Sequence, residues 1–97
     1  MSIPGLEGRK VLVVEDESLV AMLLETMLED MGCTVFGTAA RIEDALEMIA
    51  GEVRPDAALL DVNVAGQTVY PVAEALDRQG VPLVFSTGYG QGGLAEG

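Results

Sequence analysis

The sequence has 97 residues, of which 49% are hydrophobic and only 4% aromatic, so it predicts a single domain with an aliphatic core. Sixteen acidic residues against five basic ones give a net charge of −11, which argues against binding to nucleic acid or to an anionic membrane surface. Histidine is absent and Cys33 is the single cysteine, which excludes histidine-based catalysis, a disulfide framework and a cysteine-cluster zinc site.

The compartment is predicted from Cys33 and from the apolar runs. Cys33 opens an apolar stretch, which predicts a small buried thiol in a reducing compartment. No apolar run approaches the roughly 18 residues of a membrane span. Residues 1–5 lack the basic and apolar regions of a signal peptide. We therefore expect a cytoplasmic protein.

The first half of the chain predicts two strands, each followed by a helix. The apolar run at residues 11–14 is typical of a strand covered on both faces, as in parallel sheets. From residue 18 to 31, apolar residues recur at helical spacing, and Gly32 is the predicted stop. Residues 34–37 predict a second strand and residues 42–49 a second helix. The predicted buried face of the first helix comprises Val20, Leu23, Leu24, Met27, Leu28 and Met31.

The second half continues the alternation. Residues 57–60 predict a third strand that runs directly into Asp61, followed by a loop through Gly66. Residues 82–85 predict a fourth strand, and the glycine-rich residues 89–97 predict a loop or tail.

A third helix is predicted between these last two strands. Thr68 is its predicted N-cap, and Pro71 falls in the first turn, where a missing N–H does little harm. Its predicted buried face comprises Val69, Val72, Ala73 and Leu76. Strict alternation of strand and helix predicts an α/β fold, a parallel sheet with helices on both faces, in one domain over residues 1–97.

Polar residues stand where three of the predicted strands end. Glu15 and Asp16 follow the first strand, Asp61 follows the third, and Ser86 and Thr87 end the fourth. Ligands of such folds gather beyond the carboxyl ends of the strands. Clustered carboxylates are costly without a cation, and oxygen donors suit Mg²⁺. The pattern favours a magnesium site over the alternative, which is that these acids are solvated turn formers.

Three segments resemble the receiver domains of two-component response regulators. Residues 13–17 (VVEDE) match the acidic pair after the first strand, and residues 59–63 (LLDVN) match the phospho-acceptor strand and loop. Residues 84–89 (VFSTGY) match the fourth strand with its hydroxyl residue, and are similar to the FATGxY-type ending of a single-domain subgroup. The resemblance covers residues 9 to about 90. It implies a flavodoxin-like, doubly wound sheet of strand order 2-1-3-4.

The resemblance also implies the site residues and partners. Asp61 would be the phospho-acceptor, taking a phosphoryl group from a histidine kinase or phosphotransfer protein without being a turnover enzyme. Asp16 and Asp61 would bind Mg²⁺ directly, Asn63 through its backbone carbonyl and Glu15 through water. Thr87 would donate its hydroxyl to a phosphoryl oxygen. Such roles agree with the need to neutralise and orient the transferred group.

Receivers of this family also carry a fifth strand ending in an active-site lysine, and a fifth helix. The sequence has no counterpart of either, and Lys10, its single lysine, is expected on the opposite rim. Two expectations follow. The chain could instead be a phosphorylation-independent, receiver-like binding module. In addition, residues 83–85 would form an edge strand through which the chain forms a homodimer.

Two competing motifs are weak. The glycines at residues 88, 90 and 93 spell a dinucleotide-binding fingerprint, but a fingerprint of this kind should open a helix early in a βαβ unit. Asp61 and Asn63 match half of an aspartate-nucleophile phosphatase motif, in which a second aspartate would replace Asn63. Neither motif changes the prediction.

Overall fold

A computed structural model describes residues 7–86 of the chain. The predicted phosphoryl-oxygen donor, Thr87, and the predicted glycine-rich tail at residues 89–97 lie outside the described residues. The elements, in chain order, are β1 (Lys10–Val14), α1 (Ser18–Asp30), β2 (Thr34–Ala39), α2 (Ile42–Ile49), β3 (Ala57–Asp61), β4 (Asn63–Val64), β5 (Gln67–Thr68), α3 (Tyr70–Arg78) and β6 (Leu83–Ser86).

Four strands form one parallel sheet in the order β2-β1-β3-β6. Val13 lies opposite Leu59, and Leu59 lies opposite Val84, so the register runs straight across three strands. The predicted flavodoxin-like α/β fold is confirmed, with β6 as the fourth strand of the 2-1-3-4 order. None of the helices in the described part of the chain is long and apolar enough to cross a membrane.

The sheet separates two clusters of buried residues. Leu12 and Val14 of β1 lie in the larger cluster, which includes buried residues of α2 and α3. Val11 and Val13 point to the other face and pack with α1 and with Cys33, which is buried and unpaired. Successive side chains of a strand point to opposite faces, so a strand covered on both sides is apolar throughout. The continuous run at residues 11–14 is thereby explained.

The predicted buried face of α1 is partly wrong. Leu24 and Leu28 are buried as predicted, but Leu23 is 59% exposed and Met27 is 40% exposed. On one flank of α1, Glu25 accepts a hydrogen bond of 2.6 Å from the Thr38 hydroxyl of β2. The helix therefore packs toward β1 and β2, and it leaves several apolar side chains exposed. We call the exposed large apolar residues of this helix the α1 stripe: Leu19, Met22, Leu23 and Met27.

The predicted loop through Gly66 contains a two-strand hairpin. The antiparallel pair β4–β5 is joined by Ala65 and Gly66, whose φ angles are 53° and 83°. Positive φ at both central residues gives a turn whose twist matches that of a hairpin. The predicted N-cap is also wrong, because Thr68 lies in β5 and the cap position falls on Val69, without a side-chain cap.

Candidate functional site

The sheet register brings the predicted acidic residues together. Val14 of β1 lies opposite Leu60 of β3, so the next residues, Glu15 and Asp61, leave their strands at the same rim. One carboxylate oxygen from each of Glu15, Asp16 and Asp61 lies within 4.8 Å of the others. We call these three residues the acidic cluster. Glu15 is only 4% exposed, whereas Asp16 is open to solvent.

Burial makes ionisation of Glu15 and Asp61 unfavourable. Burial raises the pKa of Glu15 to about 7, and the charges of Asp61 and Asp16 add to this rise. The backbone N–H of Glu17 donates a hydrogen bond of 3.1 Å to Oε2 of Glu15, which lowers the pKa and partly opposes this rise. Burial also raises the pKa of Asp61, against the backbone N–H of Asn63, which lowers it. The fully ionised cluster is therefore destabilised, and a cation would relieve it.

The hairpin supplies a partner for the third carboxylate. The backbone N–H of Ala65 donates a hydrogen bond of 3.0 Å to Oδ2 of Asp16. Asn63, whose carbonyl is the predicted metal ligand, is the first residue of the same hairpin and follows Asp61 by two positions. The hairpin thus borders the acidic cluster on the side of β3.

The donor set suits a hard divalent cation. All three converging side chains offer carboxylate oxygens, and Mg²⁺ is bound in proteins through one or two carboxylates with waters. No thiol or imidazole competes for the cation at this rim. Cys33 is buried in the hydrophobic cluster under α1, and the sequence has no histidine. The residues present therefore fit Mg²⁺.

Lys10, the single lysine, lies away from the acidic cluster. The charged groups that shift the pKa values of Glu15 and Asp61 toward higher values are all carboxylates. Lys10 stands at the amino end of β1, where its backbone N–H donates to Asp56 at 2.8 Å. Arg41, at the N-cap of α2, pairs with the Glu43 carboxylate of that helix at 2.6 Å. No basic group is among the causes of these two pKa shifts, so a cation bound at this rim would supply a counter-charge for the cluster.

The fourth strand reaches the same rim. Ser86, the last described residue, pairs with Asp61 across β3 and β6. The structure thus brings Glu15, Asp16 and Asp61 together and places Asn63 beside them. The roles predicted for these residues and for Thr87 stay predictions. The Ala65 N–H was missed by the sequence analysis. Only Gly66 signalled a turn there, and a single glycine does not show where a neighbouring N–H points.

The chain matches the family model described as "Response regulator receiver domain" over residues 11–96. The fold and the acidic rim fit this class, and the chain belongs to the response regulator receiver domains. It is 33% identical over 82 residues to the phyllosphere-induced regulator PhyR of Methylorubrum extorquens, covering 82% of this chain and 31% of that protein. It is 32% identical to the transcriptional regulatory protein PdtaR of Mycobacterium tuberculosis, covering 91% of this chain and 43% of that protein. The chain thus spans less than half the length of these relatives.

Solved structures show the same similarity. The solution structure of SdrG from Sphingomonas melonis superposes with a TM-score of 0.74 at 44% identity, covering 86% of this chain and 70% of that one. A complex of the anti-anti-sigma factor PhyR with the anti-sigma factor NepR from Bartonella quintana gives a TM-score of 0.73 at 28% identity, covering 80% of this chain and 32% of that one.

Proposed function

We propose that the chain is the phospho-acceptor receiver of a two-component phosphorelay. It takes a phosphoryl group from a phosphohistidine of a kinase or phosphotransfer protein onto Asp61. The observation that supports this is the convergence of Glu15, Asp16 and Asp61 at the carboxyl ends of β1 and β3, in a chain of the receiver family. The chain is modified once and does not turn over, so it is not an enzyme in the usual sense.

The transfer is an in-line displacement at phosphorus. A carboxylate oxygen of Asp61 forms the new P–O bond as the P–N bond to the histidine breaks, and the imidazole leaves with its electron pair. Mg²⁺ held by Asp16, Asp61, the Asn63 carbonyl and, through water, Glu15 would neutralise charge on the phosphoryl oxygens. Asp61 must be ionised to attack. A cation bound at the acidic cluster would favour this ionised form of Asp61. Thr87 would donate its hydroxyl to the transferred group.

The α1 stripe favours a protein, rather than a small molecule, as the phosphoryl donor. Its first residue, Leu19, is 73% exposed and lies four positions after Glu15, so the apolar surface begins beside the acidic cluster. Contiguous exposed apolar side chains are typical of protein interaction sites. A donor domain seated there would have its phosphohistidine near Asp61. We place this exchange in the cytoplasm, where the unpaired Cys33 would stay reduced.

Phosphorylation of the isolated chain tests the proposal. Incubation with acetyl phosphate and Mg²⁺ should add one phosphoryl group, measured as the intact mass. Asp61→Asn should abolish the gain, because it removes the nucleophilic oxygen, while Asp56→Asn, at the opposite rim, should retain it. A gain that survives in Asp61→Asn, or no gain with any small donor or kinase, would contradict the assignment.

The second candidate is a binding module that works without phosphorylation. The placement of Lys10 away from the acidic cluster favours it, as does the similarity to PhyR, a protein that has been solved in complex with an anti-sigma factor. A protein partner would then bind wild type and Asp61→Asn equally, and phosphorylation would not change its affinity. Calorimetric titration of both forms distinguishes this candidate from the receiver function.

We also propose that the chain associates with itself through β6. Val84 is 63% exposed and Phe85 is 42% exposed. Within residues 7–86, β6 pairs with β3 on one side and has no strand on the other. An unpaired strand edge is a template for pairing with another chain.

A further inference from the structure

A hydrogen bond joins Asp16 of the acidic cluster to the turn of the hairpin. Oδ2 of Asp16 accepts it from the backbone N–H of Ala65, 49 residues further along the chain, at 3.0 Å. This bond engages one oxygen of Asp16, so Oδ1 stays available to a cation. Because Asp16 is exposed, its side chain would otherwise sample several rotamers.

The hairpin is held firmly enough to act as a support. Val64 in β4 and Val69 directly after β5 are both fully buried in the larger core cluster. The backbone N–H of Val69 donates to the carbonyl of Val62 at 2.8 Å, which closes the base of the hairpin. Between these anchors, the positive φ angles of Ala65 and Gly66 set the direction of the Ala65 N–H.

We infer that the β4–β5 hairpin is a positioning element for the divalent cation: the Ala65 N–H holds Asp16 toward Asp61, and the turn and the metal site are thereby coupled. This inference rests on the proposed Mg²⁺ site. A hydrogen bond to a carboxylate is stronger than one between neutral groups, so this bond restricts the rotamers of Asp16 before the cation arrives. Coupling between binding and conformation is reciprocal, so bound Mg²⁺ should in turn stabilise the hairpin.

Two glycines offer a matched test. Gly66 has φ of 83° and Gly80 has φ of 74°, and a Cβ built at either meets no atom within 4 Å. Valine strains the backbone at both positions because a β-branched residue avoids positive φ. Gly66 lies in the turn beside the acidic cluster, whereas Gly80 follows α3 at the opposite end of the sheet. Gly66→Asn is the conservative variant, since asparagine tolerates positive φ.

The experiment is an Mg²⁺ titration of the 97-residue chain, followed by backbone amide NMR and by hydrogen exchange. Gly66→Val should weaken Mg²⁺ binding on the order of 3- to 10-fold, as expected for losing one hydrogen bond to a carboxylate. Gly80→Val should change the Mg²⁺ affinity by less than about twofold. Gly66→Asn should keep most of the wild-type affinity that Gly66→Val loses. In wild type, saturating Mg²⁺ should slow exchange of the Ala65 amide.

The possible outcomes separate this inference from the proposed function. If wild type binds Mg²⁺ but both valine variants lose affinity equally, the hairpin has only a general structural role and the inference fails alone. If saturating Mg²⁺ does not slow hydrogen exchange of the Ala65 amide, the inference about the hairpin also fails alone. If wild type does not bind Mg²⁺, the proposed metal site fails as well.

Discussion

Glu15 links the chemistry of the site to the stability of the fold. Its pKa is raised from 4.5 to about 7 in the folded chain, mainly by burial, so the folded state favours its protonated form. Its stabilising contribution is complete below pH 4.5 and is lost as the pH rises through 7. Without Mg²⁺, we expect the free energy of unfolding to fall between pH 5 and 8 by at most about 3 kcal/mol from this group.

Urea unfolding across this pH range measures the effect. Glu15→Gln keeps the size of the side chain but cannot ionise, so its stability should vary less with pH than that of wild type. Adding Mg²⁺ should reduce the fall in wild type, because a cation stabilises the ionised cluster. Identical pH profiles for wild type and Glu15→Gln would show that another group controls the dependence.

The acidic cluster also predicts a stabilising substitution. Asp61→Ala removes one of the three crowded carboxylates and should raise the melting temperature in metal-free buffer. The expected gain in the free energy of unfolding is on the order of 1 kcal/mol. Mg²⁺ should then raise the melting temperature of wild type more than that of the variant. The control is Glu52→Ala, an exposed loop acid remote from the cluster, which should leave stability nearly unchanged. An equal or lower melting temperature for Asp61→Ala in metal-free buffer would contradict a strained cluster.

At the scale of elements, α1 carries two adjacent leucines with opposite environments. Leu24 is 4% exposed beneath the helix, and Leu23 is 59% exposed in the α1 stripe. Leu24→Ala should cost about 2–5 kcal/mol through lost burial and a residual cavity. Leu23→Ala should change stability by less than about 0.5 kcal/mol. Chemical denaturation of both variants checks this, and comparable losses would mean that the stripe is covered in solution.

For the whole molecule, the prediction concerns self-association through β6. Its outer edge has no partner within residues 7–86, and its apolar side chains are partly exposed. We expect concentration-dependent self-association at micromolar concentration, detected by light scattering. A net charge of −11 opposes indiscriminate aggregation but not one specific contact. Val84→Lys should shift the equilibrium toward monomer, because charged side chains on an edge oppose strand pairing.

A control substitution distinguishes β6 from the other exposed apolar surface. Leu23→Lys in the α1 stripe adds the same charge away from the sheet edge and should leave self-association unchanged. A cooperatively folding monomer with slow amide exchange along residues 83–86 would instead show that the edge is already protected.

The sequence by itself determined the alternation of the four sheet strands with three helices, and the rim at which the carboxylates meet. The run at residues 11–14 is apolar throughout because β1 is covered on both faces. This pattern lies within four consecutive residues, so it can be read directly from the sequence. Parallel strands end at one rim by topology, so the convergence of Glu15 and Asp61 follows once the strand order is known. Such features depend on near neighbours or on general rules of chain connection, both of which are written in the sequence.

Only the tertiary structure decided which apolar residues are covered and how the loop after β3 folds. Leu23 and Leu24 are chemically the same, and the difference in their burial arises from where α1 sits over β1 and β2. The two-residue strands of the hairpin are too short to show a period, and Thr68 offered a local cap that strand pairing overrode. The bond from Ala65 to Asp16 joins residues 49 apart, so it exists only once packing has brought them together.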